Sequence, residues 1–227
     1  MPRAYLIDLY DTLVSSDWDR WRRELSLMAG ISEERLDRAF HDTRAARNTG
    51  GYPDIESSAR ALVRAAGLPD DDGIVGRWVE MDIAFMTTGV QLFDDSLPTL
   101  RALRERGAST VLVSNCGPDT RLLVERLRLD EEFDALILSN ELGVRKPDAA
   151  IYEAALAAVG GSATDALFVD DQTDYCDGAR ALGIDTRLII RSDTRPAEGF
   201  ARSANGHVVV SDLVSLLRDD AVISGPA

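Results

Sequence analysis

Short apolar runs recur along the chain, separated by longer stretches in which apolar residues return every three or four positions. The run at residues 4–9 ends beside polar residues, and similar runs follow at 109–114, 135–139, 166–170 and 186–190. Nearly continuous apolar runs of this length are typical of strands that are buried on both faces. The pattern therefore predicts a parallel β-sheet covered on both sides.

The stretches between the later runs have the spacing of amphipathic helices, which we place at 97–106, 119–127 and 149–159. Strands that alternate with helices form right-handed crossovers and an open, doubly wound sheet. Functional side chains of such α/β folds lie at the carboxyl ends of the strands. The polar residues at those ends are therefore the candidates for chemistry.

The stretch between the first and second apolar runs is roughly a hundred residues long, where a single crossover needs about a dozen. Most of it has a helical pattern, for example at Trp18, Trp21 and Leu25. We interpret residues 15–91 as an inserted α-helical cap domain. Residues 1–14 and 92–227 would then form the core.

Arg44 and Arg47 of the predicted cap precede a Gly50-Gly51 turn and are candidates for binding a substrate anion. The formal net charge of −14 argues against nucleic acid or an anionic membrane as a partner. No apolar run is long enough to span a bilayer, and the N-terminus has no leader pattern. These features predict a cytoplasmic protein, a monomer or homodimer, that acts on a small molecule.

Two segments at predicted strand ends can bind an anion. Asp8 ends the first strand and precedes a tight polar turn that includes Thr12, so its oxygen can attack an electrophile while the turn binds substrate. Ser114 and Asn115 end the second strand, where a hydroxyl and the following N–H can hold one phosphoryl oxygen.

Two further segments add charges. Lys146 precedes a predicted helix and would place an ammonium between an anionic nucleophile and an anionic substrate. Asp170 and Asp171 end the fourth strand. These carboxylates would repel Asp8 unless a cation bound them, and a set of oxygen ligands suits Mg²⁺.

Four segments resemble, in their order and placement, the motifs of the haloacid dehalogenase (HAD) superfamily: residues 8–13, 114–115, 145–148 and 169–171. The resemblance implies a Rossmann-like core, and the insertion is similar to the helical cap of the dehalogenase-like branch. It covers nearly the whole predicted core. It implies a hydrolase, and it favours a magnesium-dependent phosphatase of a small phosphorylated metabolite.

The resemblance also implies a role for each matched residue. Asp8 would form an aspartyl-phosphate, while Ser114 and Lys146 would bind the transferring group. Asp170 would be either a metal ligand or the residue that orients a metal-bound water. The implied Mg²⁺ ligands are the side chains of Asp8, Asp170 and Asp171 and the backbone carbonyl of Tyr10.

The chain departs from the phosphatase pattern at Tyr10, where the family usually has a second aspartate that acts as acid and base. A phenol, with a pKa of about 10, is a poor base at neutral pH. Family dehalogenases carry tyrosine here but lack the aspartate pair at 170–171, so 2-haloacid dehalogenation is the alternative. Asp11 is a further candidate for the acid/base.

Tyr175 also departs from the pattern, because the family usually has Asp or Asn there; Asp174 is beside it. Tyr10 and Tyr175 together leave a third alternative, a protein that retains the fold and binds a ligand without turnover. The aspartate pair favours the phosphatase, since clustered carboxylates without a cation are costly.

Overall fold

A computed structural model describes residues 4–192 and 204–218. The strands are β1 (Ala4–Ile7), β2 (Val14–Ser16), β3 (Val90–Leu92), β4 (Ser109–Ser114), β5 (Ala135–Leu138), β6 (Ala166–Asp170), β7 (Asp185–Ile189) and β8 (Val208–Val210). The α-helices are α1 (Trp18–Ala29), α2 (Glu33–Asn48), α3 (Ile55–Ala65), α4 (Asp72–Ala84), α5 (Ser96–Glu105), α6 (Thr120–Arg126), α7 (Leu129–Glu132), α8 (Ser139–Leu142), α9 (Ala149–Ala158) and α10 (Thr173–Ala181). Phe85–Gly89 is a π-helix, and Ala163–Asp165 and Leu213–Leu217 are 3₁₀ helices.

Six strands form the central sheet in the order β5-β4-β1-β6-β7-β8, and every neighbouring pair is parallel. This confirms the predicted doubly wound α/β fold. The edge strand β8 was not predicted, because it is only three residues long and is largely exposed. Parts of the predicted core, at 193–203 and 219–227, lie outside the described residues.

Alternate residues of β1 pack into two different apolar clusters, as the strand geometry requires. Tyr5 and Ile7 face the cluster that includes Leu100 of α5, whereas Leu6 faces the cluster that includes Ile151 of α9. Helices therefore cover both faces of the sheet. The carboxyl edge of the sheet is thus supported by apolar packing on both faces.

Helices α1 to α4 and the π-helix, residues 18–89, form a helical insertion between β2 and β3. These two short strands pair antiparallel, with Ser15 opposite Gln91. The four helices begin at aspartate or serine side chains that accept a backbone N–H bond, which stabilises each first turn: Asp17, Ser32, Asp54 and Asp71. No helix in the described parts of the chain is long and apolar enough to cross a lipid bilayer.

Candidate active site

Three neighbouring strands bring their carboxyl ends together at one edge of the sheet. Asp8 follows β1, Ser114 ends β4 and Asp170 ends β6, and β1 lies between the other two. The backbone N–H of Asp8 donates to the carbonyl of Val169 at 3.0 Å, so the parallel pairing with β6 extends as far as Asp8. Residues separated by more than 160 positions in sequence meet there because parallel strands end on the same side of the sheet.

Lys146, the only lysine in the chain, is fully buried at this edge. Its Nζ donates to Asp8 Oδ1 and Asp170 Oδ2, both at 2.6 Å, and to the carbonyl of Val113 at 2.9 Å. Burial alone would lower the pKa of Lys146, but the Asp170 and Asp8 carboxylates outweigh it and raise that pKa. The ammonium is therefore a fixed positive charge beside Asp8.

Asn115 holds the loop that carries Lys146. Its Nδ2 donates to the carbonyl of Lys146 at 2.9 Å, and its Oδ1 accepts the Lys146 backbone N–H at 2.8 Å. The sequence interpretation gave Asn115 a substrate-binding role. In the structure its side chain makes two bonds to the protein backbone, so the contact it makes here positions the lysine.

The carboxylates of Asp8, Asp170 and Asp171 are buried, and each offers an oxygen within 4.8 Å of the others. Three acids and one ammonium leave an excess of negative charge. Burial and the neighbouring Asp8 raise the pKa of Asp170, to about 7, although Lys146 opposes this shift. Gln172 donates its backbone N–H to Asp170 at 2.8 Å and its Nε2 to Asp171 at 2.5 Å, which orients both groups.

A cavity of about 1090 Å³ lies between this edge and the helical insertion. Asp8, Asp171, Arg44 and Arg47 all line it, so both predicted anion-binding arginines share a cavity with the nucleophile candidate. Arg44 donates to the hydroxyl of Tyr175 at 3.3 Å, which links the insertion to the core.

Arg47 is positioned within its own helix. It donates to the Phe40 carbonyl and to Thr43 Oγ1, both at 3.1 Å, and its guanidinium lies 4.7 Å from the Phe40 ring centre. Burial lowers the pKa of Arg47, and the charges of Asp119 and Asp82 partly offset this shift. Asp174, in contrast, is exposed in the first turn of α10 and is not among the cavity-lining residues.

Tyr10 lines the cavity with its hydroxyl 2.9 Å from Thr120 Oγ1. Burial, and next the charge of Asp119, raise the pKa of the Tyr10 phenol well above its ordinary value, so it stays protonated at neutral pH. Asp11 also lines the cavity and has a left-handed backbone, with φ of 58°. The hydroxyls of Thr12 and Ser114 are buried without a hydrogen-bond partner among the described residues, and neither residue lines the cavity.

Asp82 and Asp119 are among the acidic residues of the cavity that were not identified from the sequence. Asp82 occupies a buried position of α4 in line with Val75 and Trp78, and Asp119 follows β4 just before α6. Asp82 could have been recognised from the sequence, because an acidic residue is rare on the apolar face of a helix. Nothing in the local pattern distinguished Asp119 from an ordinary residue at the start of a helix.

Residues 2–183 match the family model of the haloacid dehalogenase-like hydrolases. The chain belongs to this family. The predicted family and its hydrolase class are thereby confirmed. Among curated relatives, a phosphatase of Mycobacterium tuberculosis (strain CDC 1551 / Oshkosh) is 26% identical over 199 residues, which cover 83% of this chain and 88% of the relative.

Two solved structures are similar to this HAD-like hydrolase in fold. An L-2-haloacid dehalogenase from Xanthobacter autotrophicus, with chloropropionic acid covalently bound, is 19% identical with a TM-score of 0.68, covering 99% of this chain and 100% of that one. A HAD-family enzyme of Bacteroides thetaiotaomicron in complex with magnesium and inorganic phosphate is 22% identical with a TM-score of 0.65, covering 89% and 98%. At these identities the similarity establishes the fold alone.

Proposed function

We propose that this hydrolase is a magnesium-dependent phosphatase of a small phosphorylated metabolite and that it works through an aspartyl-phosphate on Asp8. The observation that carries the proposal is the buried group formed by Lys146 with Asp8, Asp170 and Asp171. A dehalogenase has no need for this aspartate pair. The phosphatase named among the curated relatives supports the same choice.

Asp8 is suited to attack phosphorus in line with the leaving oxygen. Its Oδ1 is held by Lys146, while the side chain keeps a small exposed fraction at the cavity. Attack forms a bond between an Asp8 oxygen and phosphorus and breaks the bond to the leaving oxygen, which departs with the electron pair. Water then attacks the same phosphorus and releases Asp8 and inorganic phosphate.

Lys146 supports both steps as a fixed charge. An ammonium held between two carboxylates lowers the repulsion between Asp8 and a phosphoryl dianion, and it does not have to reorganise during the reaction. Ser114 ends the neighbouring strand. Its unpartnered hydroxyl is buried and does not line the cavity, and in the proposal it would hold one phosphoryl oxygen once substrate is bound. Arg44 and Arg47 would bind anionic parts of the substrate from the side of the helical insertion.

The donor set fits Mg²⁺, which prefers a few carboxylates together with water and phosphate oxygens. Asp8 and Asp171 would hold the ion with the Tyr10 carbonyl. Asp170, bound to Lys146 and Gln172, would complete the site or orient a bound water. When bound, the ion supplies charge that offsets the three acids and the phosphoryl group.

Tyr10 has no role as a general acid in this proposal, because its phenol is hydrogen-bonded to Thr120 and stays protonated. Leaving groups that depart easily, such as acyl or anomeric phosphates, need little help from an acid. Residues 15–91 would act as the cap that closes over the substrate. The cavity volume of about 1090 Å³ exceeds the need of a two- or three-carbon haloacid and suits a larger metabolite.

The test is release of inorganic phosphate from a panel of phosphomonoesters and acyl phosphates, with Mg²⁺ or with EDTA. We expect release only with the metal, and we expect Asp8→Asn to reduce kcat by at least about a thousandfold. Asp174→Asn is the matched control, since it removes an exposed carboxylate outside the cavity. Unchanged turnover in Asp8→Asn would falsify the covalent assignment.

Dehalogenation is the second candidate, because Tyr10 matches the family's dehalogenases. Its test is halide release from 2-haloacids without metal. Halide release together with no phosphate release from any ester would replace the phosphatase proposal.

A further inference from the structure

Several acidic side chains that the proposed reaction does not use line the cavity, and two of them, Asp82 and Asp119, interact electrostatically. Asp82 comes from α4 of the helical insertion, and Asp119 comes from the loop after β4 in the core. Both line the cavity that Asp8 also lines. They therefore face the space available to the part of a substrate that lies beyond its phosphoryl group.

Asp82 is nine-tenths buried, and its Oδ1 has no hydrogen-bond partner among the described residues. It shares the buried face of α4 with Ile74, Val75 and Trp78. A buried polar atom without a partner destabilises the fold, so retaining it calls for a compensating use. Asp82 lines the cavity, so a hydrogen-bond donor on a bound ligand would give this carboxyl a partner.

Asp119 is close enough to Asp82 to act on it electrostatically. Burial raises the pKa of both carboxyls, and the charge of Asp119 raises the pKa of Asp82 further. The positive charge of Arg47 acts on both acids. Its guanidinium donates hydrogen bonds within helix α2, and in the described structure it forms no ion pair with either carboxylate. The two acids and the arginine thus surround one region of the cavity without neutralising each other by direct contact.

We propose that Asp82 and Asp119 form a subsite for hydrogen-bond donors, either hydroxyl or amino groups, on the leaving group of the substrate. The inference rests on the phosphatase proposed above and adds the chemistry of its leaving group. The carboxyls of Asp82 and Asp119 are two hydrogen-bond acceptors, and Arg47 places a guanidinium near both. This arrangement favours a neutral or cationic donor group of the substrate over a second anionic group beside Asp82. Asn48 and Ser58 of the insertion add polar lining to the same cavity.

A second metal is the less suitable occupant. Among the described residues, the group at Asp8, Asp170 and Asp171 is the one where three metal-ligating side chains come close enough for an ion. Asp82 and Asp119 bring two carboxyls, and Arg47 supplies a competing cation. A donor-bearing organic group satisfies these acceptors without displacing the arginine.

The experiment compares substrates of matched size. Every pair has an aryl leaving group, which departs more readily than an alkoxide: 4-(hydroxymethyl)phenyl phosphate and 4-(aminomethyl)phenyl phosphate are each compared with 4-ethylphenyl phosphate. We expect the wild-type kcat/KM to favour the donor-bearing member of at least one pair by about tenfold or more. The pair that shows the preference identifies whether hydroxyl or ammonium donors are bound.

Asp82→Asn and Asp82→Leu should each lower this preference ratio, with Leu lowering it more because it has no acceptor. The same variants should keep or raise the Tm, since they remove a buried carboxyl without a partner. Asp119→Asn should lower the ratio as well. Glu80→Gln, which removes an exposed charge from the same helix, is the control and should leave the ratio unchanged.

Four results would overturn the inference. A ratio near one in the wild type, or an unchanged ratio in Asp82→Leu and Asp119→Asn, removes the subsite while the phosphatase stands. A lower Tm with equal losses on both members of a pair assigns Asp82 to packing. Absence of phosphate release from every ester overturns the proposed function itself, and the leaving-group subsite with it.

Discussion

Replacing Lys146 by methionine tests whether its buried charge holds the site together. Methionine keeps the length of the apolar stem but removes the ammonium that lies 2.6 Å from Asp8 and from Asp170. The two carboxylates, with oxygens within 4.8 Å, then face each other without a cation. At an effective dielectric constant of about 20, two unit charges at that distance repel by about 3.5 kcal/mol. The full repulsion applies above about pH 8, where both acids are ionised, because Asp170 has a pKa of about 7 even beside Lys146 and takes up a proton at lower pH.

Mutations that remove one partner of a buried ion pair typically lower the free energy of unfolding by about 3–5 kcal/mol, which agrees with this figure. For a chain of this length the loss corresponds to a fall in Tm of roughly 10 °C. We expect Lys146→Met to show this loss in urea and thermal unfolding with EDTA, together with loss of phosphate release. Lys146→Arg should not rescue activity, because a larger planar group does not fit the fully buried position.

A double variant makes the reasoning refutable. Lys146→Met with Asp170→Asn removes one of the two opposed carboxylates, so it should recover at least about half of the stability lost in the single variant. Arg145→Met removes a neighbouring, partly exposed cation from the same loop and is the control. A loss below about 1 kcal/mol in Lys146→Met, or strict additivity in the double variant, would show that the ammonium does not balance these acids.

Three further predictions concern the residues around this group. Asn115→Ala removes both bonds to the Lys146 backbone, so we expect a loss of about 1–3 kcal/mol in urea unfolding and a fall in kcat; unchanged kcat would contradict its positioning role. Tyr10→Phe removes a protonated phenol and should lower kcat by less than about tenfold, whereas a larger loss, with a changed alkaline limb of the pH profile, would make the phenol catalytic. Because burial raises the folded-state pKa of Asp82, its contribution to stability falls as pH rises above about 4. Asp82→Asn should therefore raise the Tm relative to wild type at neutral pH and lose that advantage in acid, and a Tm difference independent of pH would refute this.

Much of the fold was predictable because the central strands are apolar along their whole length. The five runs read from the sequence correspond to β1, β4, β5, β6 and β7, with ends that differ by at most two residues. The strands that were missed, β2, β3 and β8, have three residues each. A run of three residues carries too few positions for a period to be recognised.

The residues of the candidate site were likewise predictable where local sequence pattern determines their position, and their contacts were not predictable where they depend on distant segments. Asp8, Ser114, Lys146 and the pair Asp170-Asp171 were identifiable because each follows or precedes an element whose type the sequence determines, and the structure brings all of them to one edge of the sheet. Asn115 was predicted to bind substrate, but the bonds of its side chain to the Lys146 loop were not foreseen. Its amide bonds to a loop 31 residues away, and no local pattern predicts that contact.

By itself, the sequence determined the strand–helix alternation, the polar residues at the strand ends and the insertion between the first two long strands, since these depend on neighbouring residues. Only the tertiary structure decided which charges meet. The ammonium of Lys146 lies between two acids because three parallel strands end side by side, and Asp82 meets Asp119 because the insertion packs over the core. Electrostatic energies depend on distance and burial, and both are set by packing between segments that are far apart in the chain.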